Sequence, residues 1–120
     1  MHDGSILVLS MKDTQLTSDF LVAHRGYQAK YPENTQLSLL KAIQVGASYI
    51  ELDVQFSADK LPIIYHDLSL QRVSGVEGYV NKLDREQLLS MSAYEPKRLG
   101  DKYKDETISP LEALTTILHH

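Results

Sequence analysis

The run Ser48-Tyr-Ile-Glu-Leu-Asp-Val-Gln-Phe56 is followed, after Ser-Ala-Asp-Lys, by Leu61-Pro-Ile-Ile-Tyr65. Both runs read as strands, rich in apolar, β-branched and aromatic residues. Only about four residues, 57–60, separate them. A parallel crossover needs about a dozen residues or more, so the two runs form an antiparallel hairpin or a direct bend. In the simplest register Ser57 faces Leu61 or Pro62, and Asp53 faces Tyr65 or His66. That register folds His66 back toward Glu51 and Asp53.

Upstream, Phe20-Leu21-Val22-Ala23 is a short buried-strand run that ends at His24-Arg25-Gly26, where glycine suits a tight turn. The loop Tyr31-Pro32-Glu33-Asn34-Thr35 leads into a helix over about 36–45, capped by Asn34 or Thr35. Leu37, Leu40 and Ile43, with Leu39 and Ala42 alongside, predict one apolar face, and Gly46 is a plausible stop. Residues 1–19 hold one strand-like patch, Ile6-Leu7-Val8-Leu9, and a polar stretch; they read as an N-terminal extension without chemistry. Downstream, residues 68–107 are weakly patterned and punctuated by Gly75, Gly78 and Gly100. A short helix is expected at 84–90, opened by Asp84. A last helix is expected at 109–118, with Ser109 as N-cap, Pro110 at its first position and Glu112 in its first turn.

The composition narrows the function classes. At 120 residues, 42% hydrophobic and 23% charged, the chain suits one globular domain. A net charge of −4 leaves no basic footprint for nucleic acid. Without cysteine there is no disulfide, thiolate metal site or cysteine nucleophile. No apolar run exceeds four residues, so no transmembrane segment is expected. The N-terminus lacks a signal-peptide pattern, so the expected location is cytoplasmic. Oligomeric state is not legible.

Chemistry concentrates at the strand ends. Glu51 and Asp53 are two apart on a strand and so share a face. Two carboxylates facing one way repel each other, and a divalent cation relieves the repulsion; oxygen ligands suit magnesium or calcium. The plainer alternative is the exposed polar face of a half-buried strand. His24 and His66 each end a strand, and two histidines flanking one site make an acid/base pair; each alone is as readily an ordinary loop histidine. Arg25 can clamp a phosphate, or can be a surface charge. Together these parts make a phosphodiester-cleaving layout that needs no serine or cysteine nucleophile.

The chain resembles the glycerophosphodiester phosphodiesterase family. The resemblance is carried by His24-Arg25-Gly26, Pro32-Glu33-Asn34-Thr35, Gly46-Ala47, Ile50-Glu51-Leu52-Asp53-Val54, Asp59, and His66-Asp67 with Leu70 and Arg72. It implies an α/β fold, the N-terminal part of a TIM (β/α)8 barrel, with the site at the C-terminal ends of the strands. His24 would then be the general base acting on the glycerol 2-hydroxyl, and His66 the general acid for the leaving alcohol. A cyclic phosphate would form and be hydrolysed, releasing the alcohol and glycerol 3-phosphate. Arg25 would bind the phosphate, while Glu51 and Asp53 would bind the cation. Residues 20–120 would form a partial catalytic domain, with 68–107 a small insertion in which Tyr79, Tyr94 and Tyr103 either wall the pocket or simply pack.

The chain departs from the pattern in length, since a barrel needs about 250 residues. The family's third metal carboxylate falls on a later strand, so the isolated chain is expected to be inactive and its full-length parent active. Two alternatives stand beside this reading. One is a sphingomyelinase-D-like phospholipase of the same barrel type. The other is a non-catalytic phosphate- or metal-binding module.

Overall fold

A computed structural model of the chain describes residues 5–11 and 22–118. The centre is β3 (Tyr49–Phe56), which alternates side chains between two covered faces. It returns into β4 (Pro62–Ile64) as an antiparallel hairpin with Val54 opposite Ile64 and Phe56 opposite Pro62. The same register sets Ser57 opposite Leu61 and Asp53 opposite Tyr65, sealed by Ser57 N–H to the Leu61 carbonyl at 3.0 Å and Tyr65 N–H to the Asp53 carbonyl at 2.9 Å. This is the hairpin that the short interval predicts.

β1 (Ser5–Ser10) pairs antiparallel with β3 over the whole of Tyr49 to Val54. β2 (Val22–His24) pairs parallel with Tyr49 to Glu51. Because β1 fills one edge of β3, β2 and β4 share the other, one arriving from each end. The sheet path is β1-β3-β4-β5, with β2 on β3; it is mixed and open, α/β in class. Phe20, Leu21, the stretch 12–19 and His119-His120 lie outside the described residues.

The helix after β2, α1 (Gln36–Gln44), starts where the sequence indicates. Thr35 is its cap, accepting from Ser38 N–H, and Ser38 returns the favour to Thr35 N–H. Its buried face overlaps the predicted one at Leu39 and Ala42 but is rotated away from Leu40. Ser38, Leu39 and Ala42 are buried, while Leu40 is 36% exposed. The reason is close approach: a Cβ on Gly26 would lie 2.4 Å from Ser38 Oγ, so a small side chain must face that turn.

A second correction concerns residues 109–118. Ser109–Pro110 is not a helix start but β5, paired with Ile63 and Ile64 of β4. The helix, α5, begins later, at Ala113–Leu118. Ladder pairing with a distant strand overrides the local capping pattern.

Two apolar clusters result. The first joins Leu39, Ala42, Ile50, Leu52 and Ile64 to Leu114 and Ile117 of α5. The second, around Ile63, Tyr65, Leu70, Val73, Val80, Leu88 and Ile108, is the core of the segment after the hairpin. That segment carries α2 (Gln71–Ser74), a 3-10 turn (Val80–Lys82), α3 (Arg85–Leu89) and α4 (Pro96–Leu99). Asp84 caps α3 as expected, with a reciprocal bond to Gln87. No helix among the described residues is long and apolar enough to cross a membrane.

Candidate active site

The shared edge of β3 brings the chemistry together. β2 runs up to the level of Glu51, where His24 is its last residue. β4 runs down from the opposite direction, and the register continues through Tyr65 opposite Asp53. His66 follows Tyr65 directly, at the bend where the chain leaves β3. The ends of β2 and β4 thus approach each other along this edge, His24 beside Glu51 and Tyr65 opposite Asp53.

His24 Nε2 lies 3.0 Å from Glu51 Oε1, and the Gln28 side-chain amide lies 2.7 Å from Nδ1. An amide N–H donating to Nδ1 leaves the ring proton on Nε2, directed at Glu51. His66 is held from its other side: Nδ1 is 2.7 Å from Asp67 Oδ1. The backbone under it is pinned by Gln55, whose side-chain amide donates to the carbonyls of Tyr65, His66 and Asp67 at 2.9, 3.0 and 2.7 Å. Gln55 continues the same strand face as Glu51 and Asp53, a spacing that could have marked it.

Arg25 sits in the left-handed region at φ 54°, as does Asn34 at φ 57°. Strained residues of this kind persist where surrounding bonds over-determine them. Here the Arg25 carbonyl accepts from Asn34 N–H at 2.9 Å and from Ser38 Oγ at 3.3 Å. The guanidinium reaches Asp53 Oδ2 and Glu33 Oε1, both at 3.3 Å. Asp53, nearly fully buried, accepts its side-chain hydrogen bond from the Asn34 amide at 3.1 Å, the Arg25 contact being an ion pair without hydrogen-bond geometry.

Glu51 and Asp53 do share a face, but each is engaged by a protein group, the His24 ring and the Arg25 guanidinium respectively. Among the described residues no group of three acidic, histidine or cysteine side chains converges as a metal cage. The donor chemistry thus fits a hard cation in part: two carboxylates on one face, without a third.

Beyond the expected residues lies a buried charge network. Glu33, 2% exposed, is gripped by the fork of Arg72 at 2.8 and 2.9 Å. Arg72 also holds Asp67 at 2.9 and 3.0 Å. Burial pushes the Asp67 carboxyl up, but its bonds from Arg72 and His66 outweigh this and hold it below the usual carboxylate range. Glu95 behaves likewise, its burial outweighed by bonds from Arg98 and the Glu33 N–H. Glu33 and Arg72 stand in the sequence blocks quoted above, yet no local pattern signals that a glutamate will be buried.

The tyrosines divide. Tyr103 packs edge-on against Tyr31 at 5.8 Å, while Tyr79 is exposed beside an open cavity of about 480 Å³ lined by Ser69, Gln71, Glu77 and Gly78. A smaller, apolar recess of about 350 Å³ runs along β2, lined by Val22, His24, Tyr27 and Val45.

Residues 24–120 match the model of the glycerophosphoryl diester phosphodiesterase family. Mouse (Mus musculus) glycerophosphodiester phosphodiesterase 1 is 35% identical over 100 residues, covering 82% of this chain and 30% of that protein. A glycerophosphodiester phosphodiesterase of Caldanaerobacter subterraneus is 34% identical over 91 residues, 76% of this chain and 37% of its own. Among solved structures, an Oleispira antarctica phosphodiesterase in complex with the product sn-glycerol-3-phosphate superposes with a TM-score of 0.76 at 35% identity. It covers 83% of this chain, which spans 40% of its length. The chain therefore spans well under half of these relatives.

Proposed function

The chain belongs to the glycerophosphoryl diester phosphodiesterase family, and on that premise we propose that its protein hydrolyses glycerophosphodiesters to an alcohol and glycerol 3-phosphate. The observation that supports the reading most directly is the shared edge of β3, where His24 ends β2 beside Glu51, Arg25 faces Asp53, and Tyr65, the residue before His66, lies opposite Asp53. The reaction releases the same product that the Oleispira relative holds.

In this reading His24 takes the proton of the glycerol 2-hydroxyl as that oxygen attacks phosphorus. His66 gives a proton to the departing alcohol oxygen, and water then opens the cyclic phosphate. For His24 to accept the proton at Nδ1, the Gln28 amide must turn aside. Asp67 orients His66 from its Nδ1. Arg25 holds a non-bridging phosphate oxygen through its guanidinium. Glu51 and Asp53 are the residues that would hold the divalent cation, magnesium or calcium. When bound, such a cation neutralises phosphate charge.

Residues 20–120 are in this reading part of a TIM barrel whose other strands lie outside the chain, with 1–19 an extension and 68–107 an insertion beside the barrel. With no third carboxylate joining Glu51 and Asp53 among the described residues, the 120-residue chain alone releases no glycerol 3-phosphate in this reading. The test is glycerol 3-phosphate release from glycerophosphocholine by the full-length protein, with and without chelator. Replacing His24 or His66 with alanine should lower kcat by about 10²- to 10⁴-fold, the span of general acid–base catalysis. Choline release from lysophospholipid in its place would move the assignment to the sphingomyelinase-D-like reading. No turnover of either would leave a binding module.

A further inference from the structure

One unbroken line of charged contacts joins the two ends of the site. It starts at His66 Nδ1, 2.7 Å from Asp67 Oδ1. Asp67 takes Arg72 Nε and one terminal nitrogen at 2.9 and 3.0 Å. The two terminal nitrogens of Arg72 take both oxygens of Glu33 at 2.8 and 2.9 Å. Glu33 in turn faces a terminal nitrogen of Arg25 at 3.3 Å, and Arg25 Nε faces Asp53 at 3.3 Å. From the far side Glu95, 3.5 Å from Arg72, accepts the Glu33 backbone N–H at 2.9 Å.

We infer that Arg72 and Glu33 are positioning residues, which lock the phosphate-facing Arg25 and the proton-donating His66 into one rigid unit. Arg72 is a doubly forked connector: its planar guanidinium serves two carboxylates at once, which a lysine ammonium cannot do. Glu33 has almost no water around it, and its side-chain oxygens are met by Arg25 and Arg72. Glu33 therefore works as an anion shared by two arginines, one of which touches substrate in the proposed reaction. Glu95 supports the unit from the segment after the hairpin. It keeps a left-handed backbone at φ 50° while buried and bonded to Arg98 at 2.6 Å.

This inference rests on the phosphate role of Arg25, so the test has two arms on the same 120-residue chain. The first follows the Arg25 Nε–H by nitrogen-15 NMR, reading its exchange with water without any ligand. The second measures binding of inorganic phosphate. In Arg72→Gln, with an unchanged far-ultraviolet spectrum, Arg25 Nε–H exchange should rise about tenfold, or about 1.4 kcal/mol of local fixation. Phosphate affinity should fall by a similar factor, and Arg72→Lys should restore neither.

Asp67→Asn, at a partly exposed side chain, is the second variant should Arg72→Gln unfold. It should loosen Arg25 in the same direction although it does not touch Arg25. Unchanged Arg25 exchange in a folded Arg72→Gln or Asp67→Asn chain would overturn the inference. A response of Arg25 exchange in a chain that binds no phosphate would uphold the positioning unit and remove the phosphate role instead.

Discussion

Along β3, the strand β1 pairs residue for residue from Ser5 opposite Val54 to Ser10 opposite Tyr49, yet its Ile6 and Val8 are 66% and 57% exposed. The segment 68–107 has almost no ladder, only isolated bridges such as Ser69 with Tyr79, yet its Leu70, Val80 and Leu88 are fully buried. Both are appended to the same hairpin. One is held by backbone pairing with half its apolar side chains in water. The other is held by a core of its own and by charged ties from Arg72, Glu95 and Arg98. An apolar run in the sequence therefore says little about burial when it forms an edge strand. A patternless segment buries well when its scattered leucines and valines converge in three dimensions.

This contrast can be broken by mutation. The largest expected effect is Leu88→Ala in the second cluster, which removes a fully buried side chain. Chemical denaturation should show a loss of about 2–5 kcal/mol. Gly26→Ala comes next. At φ 76° the added Cβ would meet Ser38 Oγ and its backbone, so α1 must shift away from the turn that carries His24 and Arg25. A loss of about 1–3 kcal/mol, accompanied by a changed His24 ring resonance, is expected.

Acid should separate the two regions by a smaller effect. Asp67 and Glu95 are held below their ordinary range in the folded chain, while the unfolded chain titrates at about 3.9 and 4.3. Their contribution is complete above that range and is lost as pH falls through the folded values. Hydrogen exchange below about pH 4 should therefore quicken in 68–107 before it quickens in β3. At the other extreme Tyr65 is pushed up by burial. Its contribution is present below its unfolded value of about 10 and is lost as pH rises above it. The smallest effect should come from Ile6→Thr on β1, within about 0.5 kcal/mol of the parent chain by the same denaturation. A loss of several kcal/mol there would show that the outer face of β1 is covered in solution.

Much of the site was legible in the residues alone because it rests on short-range rules. The interval of four residues forces the β3–β4 return, and strand alternation aligns Glu51 with Asp53. Thr35 and Asp84 announce their helices through caps that involve only three neighbours. The misread elements each depended on a distant partner. Ser109-Pro110 has the look of a helix start, but β4 offers a ladder that local pattern does not reveal. Leu40 has the right periodicity for the core, but Gly26 and Ser38 set which side of α1 can approach the sheet.

The sequence by itself determined the hairpin, its register to within one residue, and the identity of His24, Arg25, Glu51, Asp53 and His66 as candidates, because spacing along one chain is enough for each. Only the tertiary structure decided that β2 and β4 share one edge of β3, that β1 takes the other, and that Glu33 is buried between two arginines. Those outcomes depend on which distant backbone edges and charges meet. A buried carboxylate is tolerable only where cations 39 and 8 residues away in the chain, Arg72 and Arg25, are folded onto it.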